Sequence, residues 1–216
     1  MDRHITIPQS APLTAPFTQG GLIIGITGGT GCGKTTLLNL IAGQGGLILD
    51  CDAIYHQLLT SDDSMLRAIE RRFPGVVEEG TLNRKKLGSI VFADKAALED
   101  LNRITHASVK AEVLRRLETA PKLVGIDAIG LFEGGLSELC DVTVAVTAPE
   151  EMRVQRLMLR DGISEDYARS RIRAQHDEEW FRQKCDFTLE NSGQMDTFQL
   201  DCLAFLHRFG IMKENL

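Results

Sequence analysis

The chain has 216 residues, and 24 basic against 30 acidic side chains give it a formal charge of −6 with its five histidines neutral. Hydrophobic residues make up 43% and charged residues 25%, which excludes a disordered chain and is typical of a globular protein with one main domain. The acidic balance also excludes a sequence-independent nucleic-acid binder, because such binding depends on many Lys and Arg.

Residues 1–20 contain three prolines among Ser, Thr, Ala and Gln without any apolar period, so we predict a weakly ordered leader. These residues lack the basic and apolar regions of a secretion signal, and the longest nearly apolar stretch, 20–27, is too short to span a bilayer. Five cysteines without a C-x-x-C pair predict reduced thiols. We therefore expect a cytoplasmic protein that does not contact membranes.

Residues 21–216 alternate short apolar runs with helical periods. Strands are predicted at 22–27, 47–50, 123–127, 142–146 and 187–190. Strands separated by helices predict an α/β fold with a parallel five-stranded sheet covered by helices. Residues 61–120 form a predicted helical insert whose second helix we expect to break near His106. The spacing of Thr147 and Glu150 predicts a capping box that begins the helices of a region at 150–182.

A glycine-rich motif follows the first predicted strand. Residues 28–35 match G-x-x-x-x-G-K-[ST] at every fixed position and lead into a predicted helix, a context that disfavours an ordinary glycine turn. Backbone N–H groups of such a loop surround phosphates, Lys34 reaches the β and γ phosphates, and Thr35 can ligate Mg²⁺. The predicted nucleotide site is formed by Gly28, Gly29, Thr30, Gly31, Cys32, Gly33, Lys34, Thr35 and Thr36. The Asn-Lys-x-Asp guanine reader of GTPases is absent from the sequence.

Cys32 has two interpretations. A thiol at a helix N-terminus can have a lowered pKa and be reactive. Alternatively, Cys32 is a small buried packing residue.

Three aspartates follow predicted strands. Asp50 and Asp52 lie two residues apart at the carboxyl end of the second strand, so we expect both carboxylates to point the same way. One would accept a proton from an attacking hydroxyl, and the other would order a metal-bound water. Asp127 ends the third strand, at the position of an acid that holds Mg²⁺ directly or through water. For all three residues a turn or helix-capping role is the alternative.

Arginines recur at helical spacing in the region 150–182. Arg153, Arg156 and Arg160 share one helix face, and Arg169 and Arg173 repeat the pattern on the next helix. Guanidinium groups bind phosphate oxygens in pairs, so the set predicts a mobile arginine lid over ATP. A solvated surface of salt bridges is the alternative.

From Leu22 to about Asn191 the chain resembles the dephospho-coenzyme A kinases, members of the P-loop kinase group with a three-layer fold. The resemblance rests on the segments 27–36, 50–52, 87–92, 127–133, 156–162, 171–175 and 186–191, with Leu101 and His106. The family usually has Pro-Leu where Ile129 and Gly130 stand, Ala-Arg at Tyr55 and His56, and His-Pro at His106 and Ala107.

The resemblance implies a magnesium-dependent transfer of phosphate from ATP to the ribose 3′-hydroxyl of dephospho-CoA, the last step of coenzyme A synthesis. Catalytic roles fall to Lys34, Asp52, Arg156 and Arg160, and metal contacts to Thr35, with Asp50 and Asp127 acting through water. It also implies that the insert holds the acceptor and that the partners are small molecules. Separately, we expect a monomer or weak homo-oligomer. The alternatives are a nucleoside or nucleotide kinase with the same ATP site and a regulatory switch that hydrolyses ATP slowly.

Overall fold

The computed structural model describes residues 5–6, 21–61, 63–193 and 195–211. The strands are β1 (Ile5–Thr6), β2 (Leu22–Thr27), β3 (Leu47–Asp50), β4 (Val77–Glu78), β5 (Thr81–Leu82), β6 (Leu123–Asp127), β7 (Val142–Thr147) and β8 (Phe187–Glu190). The helices are α1 (Lys34–Gly43), α2 (Cys51–Ser61), α3 (Asp63–Arg72), α4 (Arg84–Val91), α5 (Lys95–Leu117), α6 (Glu150–Asp161), α7 (Glu165–Arg173), α8 (Glu178–Lys184) and α9 (Met195–His207). No helix in this part of the chain is long and apolar enough to cross a membrane.

The main sheet has the strand order β1-β8-β7-β2-β6-β3. β2 pairs in parallel with β6 and β7, and β7 pairs in parallel with β8. All six residues of β7 are buried, as expected for a strand covered by helices on both faces. The predicted parallel five-stranded sheet is thus confirmed.

β1 adds a sixth, antiparallel strand to this sheet. It pairs with β8, and Ile5 lies opposite Leu189. Ile5 and Thr6 belong to the segment 1–20 that we expected to be a weakly ordered leader. The other residues of that segment, 1–4 and 7–20, lie outside the described residues.

The chain divides into two compact units. The first comprises residues 1–48, 121–131 and 139–216. Its core lies between the sheet and the helices α1 and α9, and contains the buried side chains of Ile24, Ile41, Val144, Phe198 and Phe205. Burial of this apolar surface is the main stabilising contribution to the unit.

The second unit comprises residues 49–120 and 132–138, so it includes α2 as well as the insert predicted at 61–120. It consists of α2 to α5 and a small hairpin of β4 and β5. Met65, Ile69, Phe73 and Val113 are fully or almost fully buried. The helical character predicted for the insert agrees with these elements.

Two local predictions are wrong. α5 runs without a break through His106, and its Ala97, Thr105, Val109 and Val113 are buried along its length. The Thr105 hydroxyl, next to His106, donates to the Leu101 carbonyl 3.0 Å away, inside the continuous helix. The capping box also fails, because Thr147 still belongs to β7 and α6 begins only at Glu150, without a side-chain cap.

Candidate active site

Residues 28–33 form a loop between β2 and the first turn of α1. Gly28, Gly31 and Gly33 have φ angles of 131°, 80° and 96°, a region that L side chains rarely adopt. A Cβ atom on Gly28 would also lie 2.1 Å from the Val146 carbonyl oxygen. The loop therefore requires glycine at these positions, and the predicted order of strand, loop and helix is confirmed.

The N–H groups of this loop fall into two sets. That of Thr30 donates to Gln175 Oε1 at 2.8 Å, and that of Cys32 donates to the Gly29 carbonyl at 3.3 Å. In contrast, the N–H groups of Lys34 and Thr35 lie in the first turn of α1, where a helix supplies no acceptor. Together with the helix dipole, these donors form an anion site.

The Lys34 side chain lies along the same loop. Its Nζ donates to the Gly28 carbonyl oxygen at 3.0 Å. This bond uses one of the three N–H donors of the ammonium group. The other two can bind phosphate oxygens without the lysine leaving the loop.

Two arginines of α6 bind carbonyl groups of the loop. Arg153 is buried and donates from Nε to the Thr30 carbonyl at 2.9 Å. Arg156 donates from Nη1 to the carbonyls of Gly31 at 3.1 Å and Cys32 at 3.3 Å. In this structure the two side chains hold the loop through its carbonyl groups, and the mobile arginine lid over ATP stays a prediction.

Two further residues complete these contacts and had no role in the sequence-based prediction. Gln175 Oε1 accepts from Arg153 Nη2 at 3.3 Å as well as from Thr30. Asn191, buried at the end of β8, accepts from Arg156 Nη2 at 3.1 Å and donates to the Cys32 carbonyl at 2.9 Å. Both residues lie in segments on which the resemblance rests, so only that signal pointed to them.

Arg160 has a different environment. Its side chain is 60% exposed and makes two bonds with Asp161, at 2.7 and 3.0 Å. Asp161 also binds Arg171 at 2.7 Å. Arg169 pairs with Glu150, Glu151 and Glu165. For Arg160 and Arg169, the interpretation as a surface of salt bridges describes the contacts.

Two oxygen donors of the first unit suit Mg²⁺. Thr35 exposes its side chain in the first turn of α1, and Asp127 is half-buried at the end of β6, adjacent to β2. Hydroxyl and carboxylate oxygens are ligands that Mg²⁺ prefers, and one or two protein ligands suffice when phosphates supply others. Within the described ranges, no cluster of three or more His, Cys, Asp or Glu residues is arranged to hold a metal.

The structure favours packing over reactivity for Cys32. The side chain is 2% exposed. Burial raises the pKa of its thiol above the ordinary value, and the positive charges of Arg153 and Lys34 oppose that rise without cancelling it. Cys32 is therefore a small buried residue of the loop.

The aspartates after β3 belong to the second unit, and the reasoning that placed them on one strand face is wrong. β3 ends at Asp50 and α2 begins at Cys51, so Asp52 lies in the first turn of a helix. Asp50 Oδ1 accepts from the N–H of Ala53 at 2.9 Å, which is the capping alternative for this residue. Asp52 is exposed.

The fold and the loop together define a class. A glycine-rich loop between a central parallel strand and a helix, with Lys34 over it and arginines bound to it, is the site of a P-loop kinase. A similar arrangement of the chain occurs in the crystal structure of TT1252 from Thermus thermophilus. That protein is 33% identical, with a TM-score of 0.74 over 88% of this chain and 98% of the other.

The family follows from three further observations. Residues 22–197 match the family model described as dephospho-CoA kinase. The dephospho-CoA kinase of Corynebacterium diphtheriae is 33% identical over 198 residues, which cover 89% of this chain and 99% of that one. The structure of the Campylobacter jejuni dephospho-CoA kinase has a TM-score of 0.63 and 26% identity over 88% of this chain and 98% of that one. The chain belongs to the dephospho-CoA kinase family, and its members are kinases of coenzyme A synthesis.

Proposed function

We propose that this protein transfers the γ-phosphoryl group of ATP to the ribose 3′-hydroxyl of dephospho-CoA and releases coenzyme A and ADP. The observation that carries the proposal is the phosphate loop, with the N–H donors of α1 and the Lys34 ammonium group at one place. Membership of the family supports the choice of acceptor.

In the proposed reaction, the acceptor oxygen forms a bond to the γ-phosphorus. The bond between that phosphorus and the bridging oxygen breaks, and its electron pair leaves with ADP. The hydroxyl proton moves to the Asp52 carboxylate. Lys34 and Arg156 neutralise phosphate charge, and Arg160 joins them when it exchanges Asp161 for phosphate. Such catalysis consists mainly of positioning and charge stabilisation.

Magnesium enters the proposal as the partner of ATP. The Thr35 hydroxyl would hold the ion, with Asp127 and Asp50 contacting it through water. A bound Mg²⁺ would withdraw charge from the phosphate oxygens. The helical second unit is the proposed binding region for the pantetheine-bearing acceptor.

One steady-state experiment tests this function. ADP formation is measured with dephospho-CoA, adenosine, AMP or no acceptor, and the product is compared chromatographically with authentic coenzyme A. Of these conditions, we expect ADP formation only when dephospho-CoA is the acceptor. Turnover with adenosine or AMP instead would show a nucleoside or nucleotide kinase, and hydrolysis at one rate under all conditions would show a switch.

A further inference from the structure

Arg153 is a buried cation that forms no ion pair with a carboxylate of the described residues, and the Glu178 carboxylate acts on the same loop from a greater distance. Its exposure is 7%, and its two bonds go to neutral oxygens, the Thr30 carbonyl and Gln175 Oε1. Among the described residues, no carboxylate forms an ion pair with its guanidinium. Three more exposed arginines of the same region, Arg160, Arg169 and Arg182, each pair with at least one carboxylate, whereas the half-buried Arg156, like Arg153, binds neutral oxygens.

An unpaired buried charge is unfavourable, because its hydration is lost and neutral acceptors replace only part of it. A guanidinium group cannot escape this penalty by losing its proton. The arrangement becomes favourable when an anion binds close by. The surroundings of Arg153 therefore favour the binding of a negatively charged ligand nearby.

The guanidinium lies directly against the phosphate loop. A Cβ atom on Gly29 would be 2.2 Å from Arg153 Nη2, and one on Gly31 would be 3.0 Å from the Arg153 carbonyl oxygen. The charge of Arg153 also acts inside the loop, since it opposes the effect of burial on the pKa of Cys32. Loop and cation thus form one closely packed structure.

We propose that Arg153 is a fixed counter-charge for the phosphates bound by the loop, and that it determines the preference of the loop for polyphosphate anions. Arg153 is a positioning residue: its bond to the Thr30 carbonyl holds the loop in place, and the electric field of its charge attracts the bound phosphates. The G-x-x-x-x-G-K-[ST] motif does not contain it, and the catalytic roles assigned above do not include it. The inference rests on the proposed function only in that the loop binds phosphate.

Calorimetric titration of inorganic pyrophosphate, without nucleotide, tests the proposal on the wild-type protein and three variants. Arg153→Gln keeps a donor for the Thr30 carbonyl and removes the charge, and Arg153→Lys keeps the charge. The matched control is Lys122→Gln. Lys122 is exposed and directly precedes β6, so it lies beside the start of β2, whereas the phosphate loop follows the end of β2. We expect R153Q to weaken pyrophosphate binding by about tenfold or more and to flatten its salt dependence. R153K should lose less affinity than R153Q, because it keeps the charge but not the geometry of the guanidinium group, and K122Q should stay near the wild-type value.

Melting temperatures separate this role from a structural one. Loss of an unpaired buried charge should leave the Tm of the ligand-free R153Q protein unchanged or higher. Equal pyrophosphate affinities for wild type and R153Q, or a lower Tm with an unchanged salt dependence, would overturn the proposal. So would a wild-type protein that binds no pyrophosphate. If charge-dependent pyrophosphate binding is found without turnover of dephospho-CoA, the inference stands and the proposed function fails.

Discussion

The side chains of Arg156 and Asn191 hold each other and the phosphate loop in a closed set of hydrogen bonds. Arg156 Nη2 donates to Asn191 Oδ1 at 3.1 Å, and both residues donate to the Cys32 carbonyl. The backbone of Asn191 is fixed in turn, because its N–H donates to the Thr147 carbonyl at 2.8 Å. The residue that follows β8 is therefore hydrogen-bonded to the loop both directly and through Arg156.

Replacement of Asn191 by alanine should weaken nucleotide use. It leaves the Cys32 carbonyl and one Arg156 donor without this partner, and each lost buried hydrogen bond costs about 1–3 kcal/mol. We expect kcat/KM for ATP to fall about 10- to 100-fold, measured by ADP formation. Asn39→Ala, at an exposed position of α1, is the control and should behave as wild type. Wild-type kinetics of N191A would show that Asn191 does not control the loop.

Lys34→Met should remove activity without unfolding the protein. The hydrogen bond that Lys34 makes with the Gly28 carbonyl contributes little to stability, whereas charge stabilisation by one such group is worth about 10²- to 10³-fold in kcat. Steady-state kinetics and circular dichroism measure the two effects. Lys122→Met is the matched control. A K34M enzyme with normal kcat would remove Lys34 from the chemistry.

Asp52 and Asp50 should respond differently to substitution. Asp52→Asn removes the proposed proton acceptor from an exposed site, so kcat should fall by roughly 10²- to 10⁴-fold with an unchanged Kd for ATP. Asp50→Ala removes the cap of α2, which costs about 1 kcal/mol of stability, and also the proposed water-mediated contact to Mg²⁺, so it should lower the melting temperature and raise the Mg²⁺ concentration needed for turnover. Rapid-quench kinetics and thermal melts separate the two outcomes. Undiminished turnover by D52N would exclude Asp52 as the base.

Four cysteines of the native protein, Cys32, Cys140, Cys185 and Cys202, should react slowly with iodoacetamide. Burial raises the pKa of Cys32, and it raises the pKa of Cys140, Cys185 and Cys202 to about 12. At pH 8 few of these thiols are ionised, so the labelling rate should keep rising with pH beyond 9, the ordinary thiol value, and should be higher in urea than in native protein at each pH. Mass spectrometry of the Cys32 peptide follows the rate. Rapid labelling of native Cys32 at pH 7 would contradict its assignment as a packing residue.

The pairing of Asp161 should appear in the pH dependence of stability. Hydrogen bonds from Arg160, and then from Arg171, hold the pKa of this carboxyl at about 2, below its ordinary value of 3.8. The folded form binds the proton more weakly, so the stabilising contribution is complete well above pH 3.8 and is lost as the pH falls through 2. The melting temperature of the wild type should therefore be higher than that of Asp161→Asn at pH 6, and the difference should shrink between pH 4 and pH 2. Asp166→Asn, at an exposed site, serves as control, and a difference independent of pH would refute the pairing.

The sequence predicted correctly those elements that are encoded within a short, continuous stretch of residues. The buried run Leu22–Thr27, the glycine loop and the helix after it follow from short stretches of sequence. The hydrogen bonds of Gln175 and Asn191 cannot be predicted in this way. They join these residues to Thr30 and Cys32, which lie 145 and 159 positions away along the chain. Asp52 was misplaced for another reason. Strand and helix meet between Asp50 and Cys51, and alternation along a strand stops at such a boundary.

Two residues near the start of the chain affect how the molecule behaves at high concentration. Ile5 and Thr6 pair with Leu189 and Thr188 on one side of β8, a strand with three buried residues. An uncovered strand of this kind is a template on which another chain can add itself, and β1 is too short to serve as a template in turn. Ile5 and Thr6 thus cover part of this border, and a form of the protein without them would expose these groups of β8 to pairing with another chain.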